Sequence, residues 1–154
     1  MSTLEQLYAQ ATQRADQNQL PYAGAILPAE AFELLQLDPS VRLVDVRTRA
    51  ELDWVGRPAI DTVQYSHIEW IQYPGSVPNA AFMQQLRDVA TPDTPVLFLC
   101  RSAARSKLAA VLAQKEGFTK AFDLLEGFEG EIDAQQRRGG IGGWRFHGLP
   151  WEQD

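Results

Sequence analysis

Cys100 is the only cysteine in the 154-residue chain, and it heads the segment Cys100-Arg101-Ser102-Ala103-Ala104-Arg105-Ser106. A thiol attacks as its thiolate, which nearby cations and helix N-terminal amides favour. Both are expected here. Arg101 and Arg105 supply charge, and a helix starting near Ser106 would aim unpaired backbone N–H groups back at the loop. Ser102, Ala103 and Ala104 are small enough for the backbone to curl until successive amides face inward as an anion-binding nest. The implied chemistry is attack by sulfur on an anionic substrate. A cysteine that closes a buried strand is ordinarily a small hydrophobe. Two arginines and a small-residue turn at a strand-to-helix junction argue instead for reactivity, because buried arginines are costly without an anion.

Asp45, Arg47 and Glu51 form a second constellation at the end of another apolar run. Buried carboxylates need partners, so these three are expected to form a hydrogen-bond and ion-pair network that supports the neighbouring loops. His67 and His147 are the only histidines. With one cysteine and no clustered ligand spacing they give no metal site, and His67 is read as structural. Trp70 and Trp144 are read as packing residues, while the stretch around Trp70, Tyr73, Pro74 and Gly75 is expected to form one wall of the pocket.

The net charge of −6 argues against nucleic acid, whose binding rests on a basic footprint. Arg101, Arg105 and Lys107 lie in a stretch without acidic residues, so a local positive field surrounds Cys100 in a negative molecule. A hydrophobic fraction of 45% and a charged fraction of 22% are those of a globular domain. No apolar run approaches the ~20 residues of a membrane span, and Met1 to Leu20 is too polar for a secretory signal. A cytoplasmic protein with a reduced thiol is expected.

The elements that must position these residues alternate. Leu4, Leu7, Tyr8 and Ala11 recur at helical spacing, and residues 1–24 are expected to be an N-terminal helical extension to a domain over 25–154. Ala25 to Leu27 predicts a short strand, Pro28 opens a helix with Ala31, Leu34 and Leu35 on one face, and Val41 to Val46 predicts a central strand. Thr48 and Glu51 have capping-box spacing. Residues 53–79 read as loops around a short strand at Thr62 to Tyr65. Asn79 caps a helix over Ala80 to Ala90 that buries Phe82, Leu86 and Val89. Val96 to Leu99 is the strand that delivers Cys100, and Leu108, Val111 and Leu112 mark the helix after it, ending at Gly117. Ala121 to Leu125 predicts another strand, followed by a short helix and a glycine-rich loop at Gly139 to Gly143. Strands alternating with helices indicate an α/β domain with a mostly parallel sheet covered on both faces, whose reactive groups sit at the carboxyl ends of strands.

The sequence resembles the rhodanese family of sulfurtransferases. The resemblance is carried by Cys100 to Ser106 after Val96-Leu97-Phe98-Leu99, by Leu43-Val44-Asp45-Val46-Arg47 with Glu51, and by Leu125-Glu126-Gly127-Phe128 with Gly143-Trp144 and Gly148-Leu149-Pro150. It spans Ala25 to Pro150 and implies a rhodanese-like fold around a five-stranded sheet. By resemblance, Cys100 takes the outer sulfur of a small anionic donor such as thiosulfate, becomes a persulfide, and passes the sulfur to cyanide, a thiol or a protein acceptor, without a cofactor. Arg101, Ser102, Ala103, Ala104, Arg105 and Ser106 would bind the substrate, with Asp45, Arg47 and Glu51 supporting them. Cysteine phosphatases place five residues between Cys and Arg, whereas four separate Cys100 from Arg105, which fits sulfur better than phosphate. A non-catalytic sulfur-carrier or regulatory module is the alternative, and phosphatase or arsenate reductase chemistry ranks below it.

Overall fold

The computed structural model describes residues 3–153. Met1, Ser2 and Asp154, which the expected extension and domain include, lie outside the described residues. The central sheet has five strands, β1 (Gly24–Ile26), β2 (Arg42–Asp45), β4 (Tyr65–His67), β7 (Val96–Leu99) and β8 (Ala121–Leu124), in the order β1-β8-β7-β2-β4. Every pairing in it is parallel. Two-residue ladders flank it: β3 (Arg57–Pro58) pairs antiparallel with β9 (Trp151–Glu152), and β5 (Ile71–Gln72) with β6 (Val77–Pro78).

The apolar content of the strands explains the layering. All four residues of β7 are buried, as a parallel strand covered on both faces requires. Val44, Val96 and Phe98 face one core, with Phe82 and Leu86 of α4 (Phe82–Val89) and the alanines of α5 (Ala104–Lys115). Leu43, Leu97 and Leu99 alternate to the opposite core, shared with Leu7 and Ala11 of α1 (Thr3–Asn18) and with Ala31, Leu34 and Leu35 of α2 (Pro28–Leu37). Helices therefore cover both faces. The first helix is locked in place, since Arg14 makes paired hydrogen bonds to Glu30 at 2.7 and 2.9 Å and a third to the Ala25 carbonyl.

Several elements differ from expectation for identifiable reasons. The fifth helix starts at Ala104, two residues before Ser106, and buries Ser106, Ala109, Ala110 and Ala113 while Leu108 stays exposed. Small side chains let this helix lie close over β7 and β8, so its inner face is alanine. The fourth helix leaves Val89 exposed, and Asn79 is not its cap, although the Asn79 carboxamide accepts the Ala81 amide. The edge strand falls at Tyr65–His67 rather than Thr62 to Tyr65. No helix follows Gly130 among the described residues: Asp133 Oδ1 takes the amides of Gln135 and Arg137, a local side-chain bond that competes with helix. None of the described helices is long and apolar enough to cross a membrane.

Candidate active site

Three strand ends build the site. The central strand β7 ends on Cys100, which is 1% exposed. The Ala103 amide donates to Cys100 Sγ at 3.0 Å. To turn that amide inward, Ala103 adopts a left-handed backbone at φ +82°, a conformation that costs a residue with a Cβ and is least crowded for a small side chain. The next residue begins α5, so Arg105 and Ser106 stand in its first turn.

The loop is held from below by the segment after β8. The amide of Phe128 donates to the Cys100 carbonyl at 2.8 Å, and those of Glu129 and Gly130 donate to the Arg101 carbonyl. This approach requires Gly127, at φ +71°, where a Cβ would collide with the carbonyls of Arg101 and Cys100. The end of β2 secures Phe128 in turn. Arg47 stacks its guanidinium 4.3 Å above the Phe128 ring and is itself held by Asp45, at 2.9 Å from Nε and 2.7 Å from Nη2. Both Arg47 and Asp45 are fully buried. Tyr65 donates to Asp45 at 2.7 Å, Arg47 donates to the Gly56 carbonyl, and His67 Nε2 lies 2.7 Å from the Arg47 carbonyl.

The expected single network of Asp45, Arg47 and Glu51 is in fact two. Glu51 takes Arg105 in a two-point ion pair, Nη1 to Oε1 at 2.7 Å and Nη2 to Oε2 at 2.8 Å, while its charge still acts on Arg47. Thr48 and Glu51 also form the capping box that opens α3 (Arg49–Val55), so one carboxylate both caps that helix and holds the loop arginine. Burial pushes the Glu51 carboxyl up, but the Arg105 bonds, the Thr48 bonds and the Arg105 charge outweigh it and hold it at about 2. The same pairing raises Arg105 further above its ordinary range. Its charge is thus compensated by Glu51 rather than free, contrary to the expectation for a loop awaiting an anion.

A cleft of about 390 Å³ opens over the loop, lined by Glu51, Trp54, Tyr73, Arg101 and Arg105 among others. Ile71, Tyr73 and Ser76 bring the β5–β6 hairpin into its wall. Trp70 is not in that lining; it packs edge-on against Phe82 at 5.0 Å. Trp144 is fully buried and donates to the Pro150 carbonyl. Trp151 is partly exposed against Phe128.

Asp123 went unnoticed in the sequence. It is fully buried in β8 and accepts the Ser106 hydroxyl at 2.5 Å, while Ser106 Oγ lies 3.3 Å from Cys100 Sγ as acceptor of the thiol hydrogen. The signal was present: an acidic residue in the apolar run Ala121-Phe122-Asp123-Leu124 needs a partner to be buried.

Comparison with known proteins agrees with this architecture. The model of the family described as "Rhodanese-like domain" matches residues 28–132. The protein RP600 of Rickettsia prowazekii is 30% identical over 129 residues, covering 82% of this chain and 95% of that protein. The crystal structure of Rv0390 from M. tuberculosis is 43% identical with a TM-score of 0.79, covering 86% of this chain and 99% of that one. The solution structure of a polysulfide-sulfur transferase homodimer from Wolinella succinogenes shares the fold at 24% identity, with a TM-score of 0.59, covering 100% of this chain and 95% of that one. On the evidence of this match across most of its length, the chain belongs to the rhodanese-like family.

Proposed function

We propose that the protein is a sulfurtransferase that carries a sulfane sulfur on Cys100, from thiosulfate or a similar anionic donor to a thiophilic acceptor. The observation that supports this reading is the Ala103 amide 3.0 Å from Cys100 Sγ, on a loop whose Arg101 and Arg105 line a cleft and which has only four residues between the cysteine and Arg105. The thiolate attacks the outer sulfur of thiosulfate, the S–S bond of the donor breaks, and sulfite leaves with the bonding pair. Cyanide or a thiolate then takes the outer sulfur and returns Cys100 to its thiolate. Loop amides suit both anions. Arg101, exposed at the rim, attracts the doubly charged donor. Arg105 exchanges part of its contact with Glu51 for the donor. Ser102, Ala103 and Ala104 set the loop size, and Ser106 lies beside the sulfur. A reduced cytoplasmic setting suits a lone thiol.

Exposed Trp54 and Tyr73 on the cleft wall favour a thiol acceptor larger than cyanide, including one on a protein, within the same persulfide chemistry. Steady-state kinetics with thiosulfate and cyanide both varied tests the reading. A covalent intermediate shared by two half-reactions predicts parallel double-reciprocal lines; intersecting lines, or turnover of phosphate esters with no sulfur transfer, would overturn it.

A further inference from the structure

We propose that Asp123 is the base for Cys100, receiving the thiol proton through the Ser106 hydroxyl. This rests on Cys100 being the sulfur-carrying nucleophile. The three groups form one directed chain: the Cys100 thiol donates to Ser106 Oγ at 3.3 Å, and the Ser106 hydroxyl donates to Asp123 Oδ1 at 2.5 Å. Cys100 is 1% exposed and the other two are fully buried, so bulk water is a poor competitor for the proton. Asp123 Oδ2 has no hydrogen-bond partner among the described residues, an expensive arrangement for a buried carboxylate that only packs. Arg105, beside Ser106 in the chain, is engaged by Glu51, so its charge is shared between that carboxylate and the sulfur.

The step balances. The Cys100 S–H bond breaks with its electron pair left on sulfur as that proton bonds to Ser106 Oγ, while the original Ser106 proton bonds to Asp123 Oδ1. The products are a thiolate, a neutral serine and a neutral carboxylic acid. When the acceptor later removes the outer sulfur, the chain can run backwards and restore the thiol.

The surroundings of Asp123 favour proton uptake. Its register partners on β1 and β7 are Ala25 and Phe98, neither charged. Tyr22, before β1, faces it as a neutral phenol whose own ionisation is pushed up to about 12 by burial and by Asp123. Lys107 of α5 is the cation that feels it. Burial raises the Asp123 carboxyl to about 6, against the Ser106 bond and the Lys107 charge that act to lower it. The carboxylate is therefore ready to accept a proton above about pH 6 and already occupied below it.

The test is the pH dependence of Cys100 alkylation by iodoacetamide, a neutral reagent that needs no sulfur-transfer activity, run beside sulfur loading from thiosulfate followed by intact mass. Wild type, Asp123→Asn and Ser106→Ala are compared, with folding checked by circular dichroism. The wild-type alkylation rate should rise through about pH 6. In Asp123→Asn, which keeps the side-chain shape, the limb set by the carboxylate should be lost from the profile and the rate at neutral pH should fall. Ser106→Ala, which leaves Asp123 in place, should do the same. A limb that stays where it is in both variants overturns the relay, even if thiosulfate loads sulfur normally. An Asp123-dependent limb with no sulfur loading upholds the relay and sinks the sulfurtransferase reading instead.

Discussion

Arg105 meets Glu51 edge to edge, with two nearly equal hydrogen bonds of 2.7 and 2.8 Å across 54 residues of chain. The pair ties the first turn of the loop helix to the first turn of α3 and so fixes one rim of the cleft. Its pH dependence has a definite sign. The folded carboxyl, at about 2, lies below the ordinary glutamate value of about 4.3. The stabilisation is complete above about 4.3 and drains away as pH falls toward 2. Glu51→Gln should therefore lower stability at neutral pH by about 3 kcal/mol, and the gap to wild type should close in acid. Urea unfolding at several pH values measures this; a gap independent of pH would contradict it.

The buried Asp45–Arg47 pair supports the ring on which the loop rests. Removing one partner leaves an uncompensated buried charge. Arg47→Met should cost about 3–5 kcal/mol despite filling similar space, read from the denaturant midpoint. A loss under about 1 kcal/mol would show that the pair is not a support.

Gly127 admits no side chain where it passes the Arg101 and Cys100 carbonyls. Gly127→Ala should push the loop off the Phe128 and Glu129 amides, costing about 1–3 kcal/mol for the left-handed backbone alone and lowering sulfur transfer further than stability predicts. Activity per folded molecule equal to wild type would contradict this account of the loop floor.

Much of this was legible in the sequence, unevenly. The run Val96 to Leu99, set off by the turn at Thr91 to Pro95, reads as a strand buried on both faces, and Thr48 with Glu51 announces a capping box that is present. These features depend on neighbours within a few residues. The partner of Glu51 was not legible, because Arg105 lies on another element and competes with Arg47 for the same carboxylate. Leu108 misled for a related reason: hydrophobicity marks a buried face, yet close packing on the sheet selected alanines and turned the leucine outward. The two-residue ladders β3–β9 and β5–β6 carry too few residues for any periodicity, and β3 finds its partner at the far end of the chain. Asp123 escaped because one carboxylate in a short apolar run becomes meaningful only once Ser106 and Cys100 are seen beside it.

The central claim is that Cys100 carries sulfur, and intact-mass spectrometry after incubation with thiosulfate addresses it most directly. Wild-type protein should gain the mass of one sulfur atom and lose it on addition of cyanide, as a covalent intermediate requires. Cys100→Ser, folded as before, should gain nothing and show only background thiosulfate:cyanide activity. An unchanged wild-type mass, or an equal adduct on Cys100→Ser, would contradict the account.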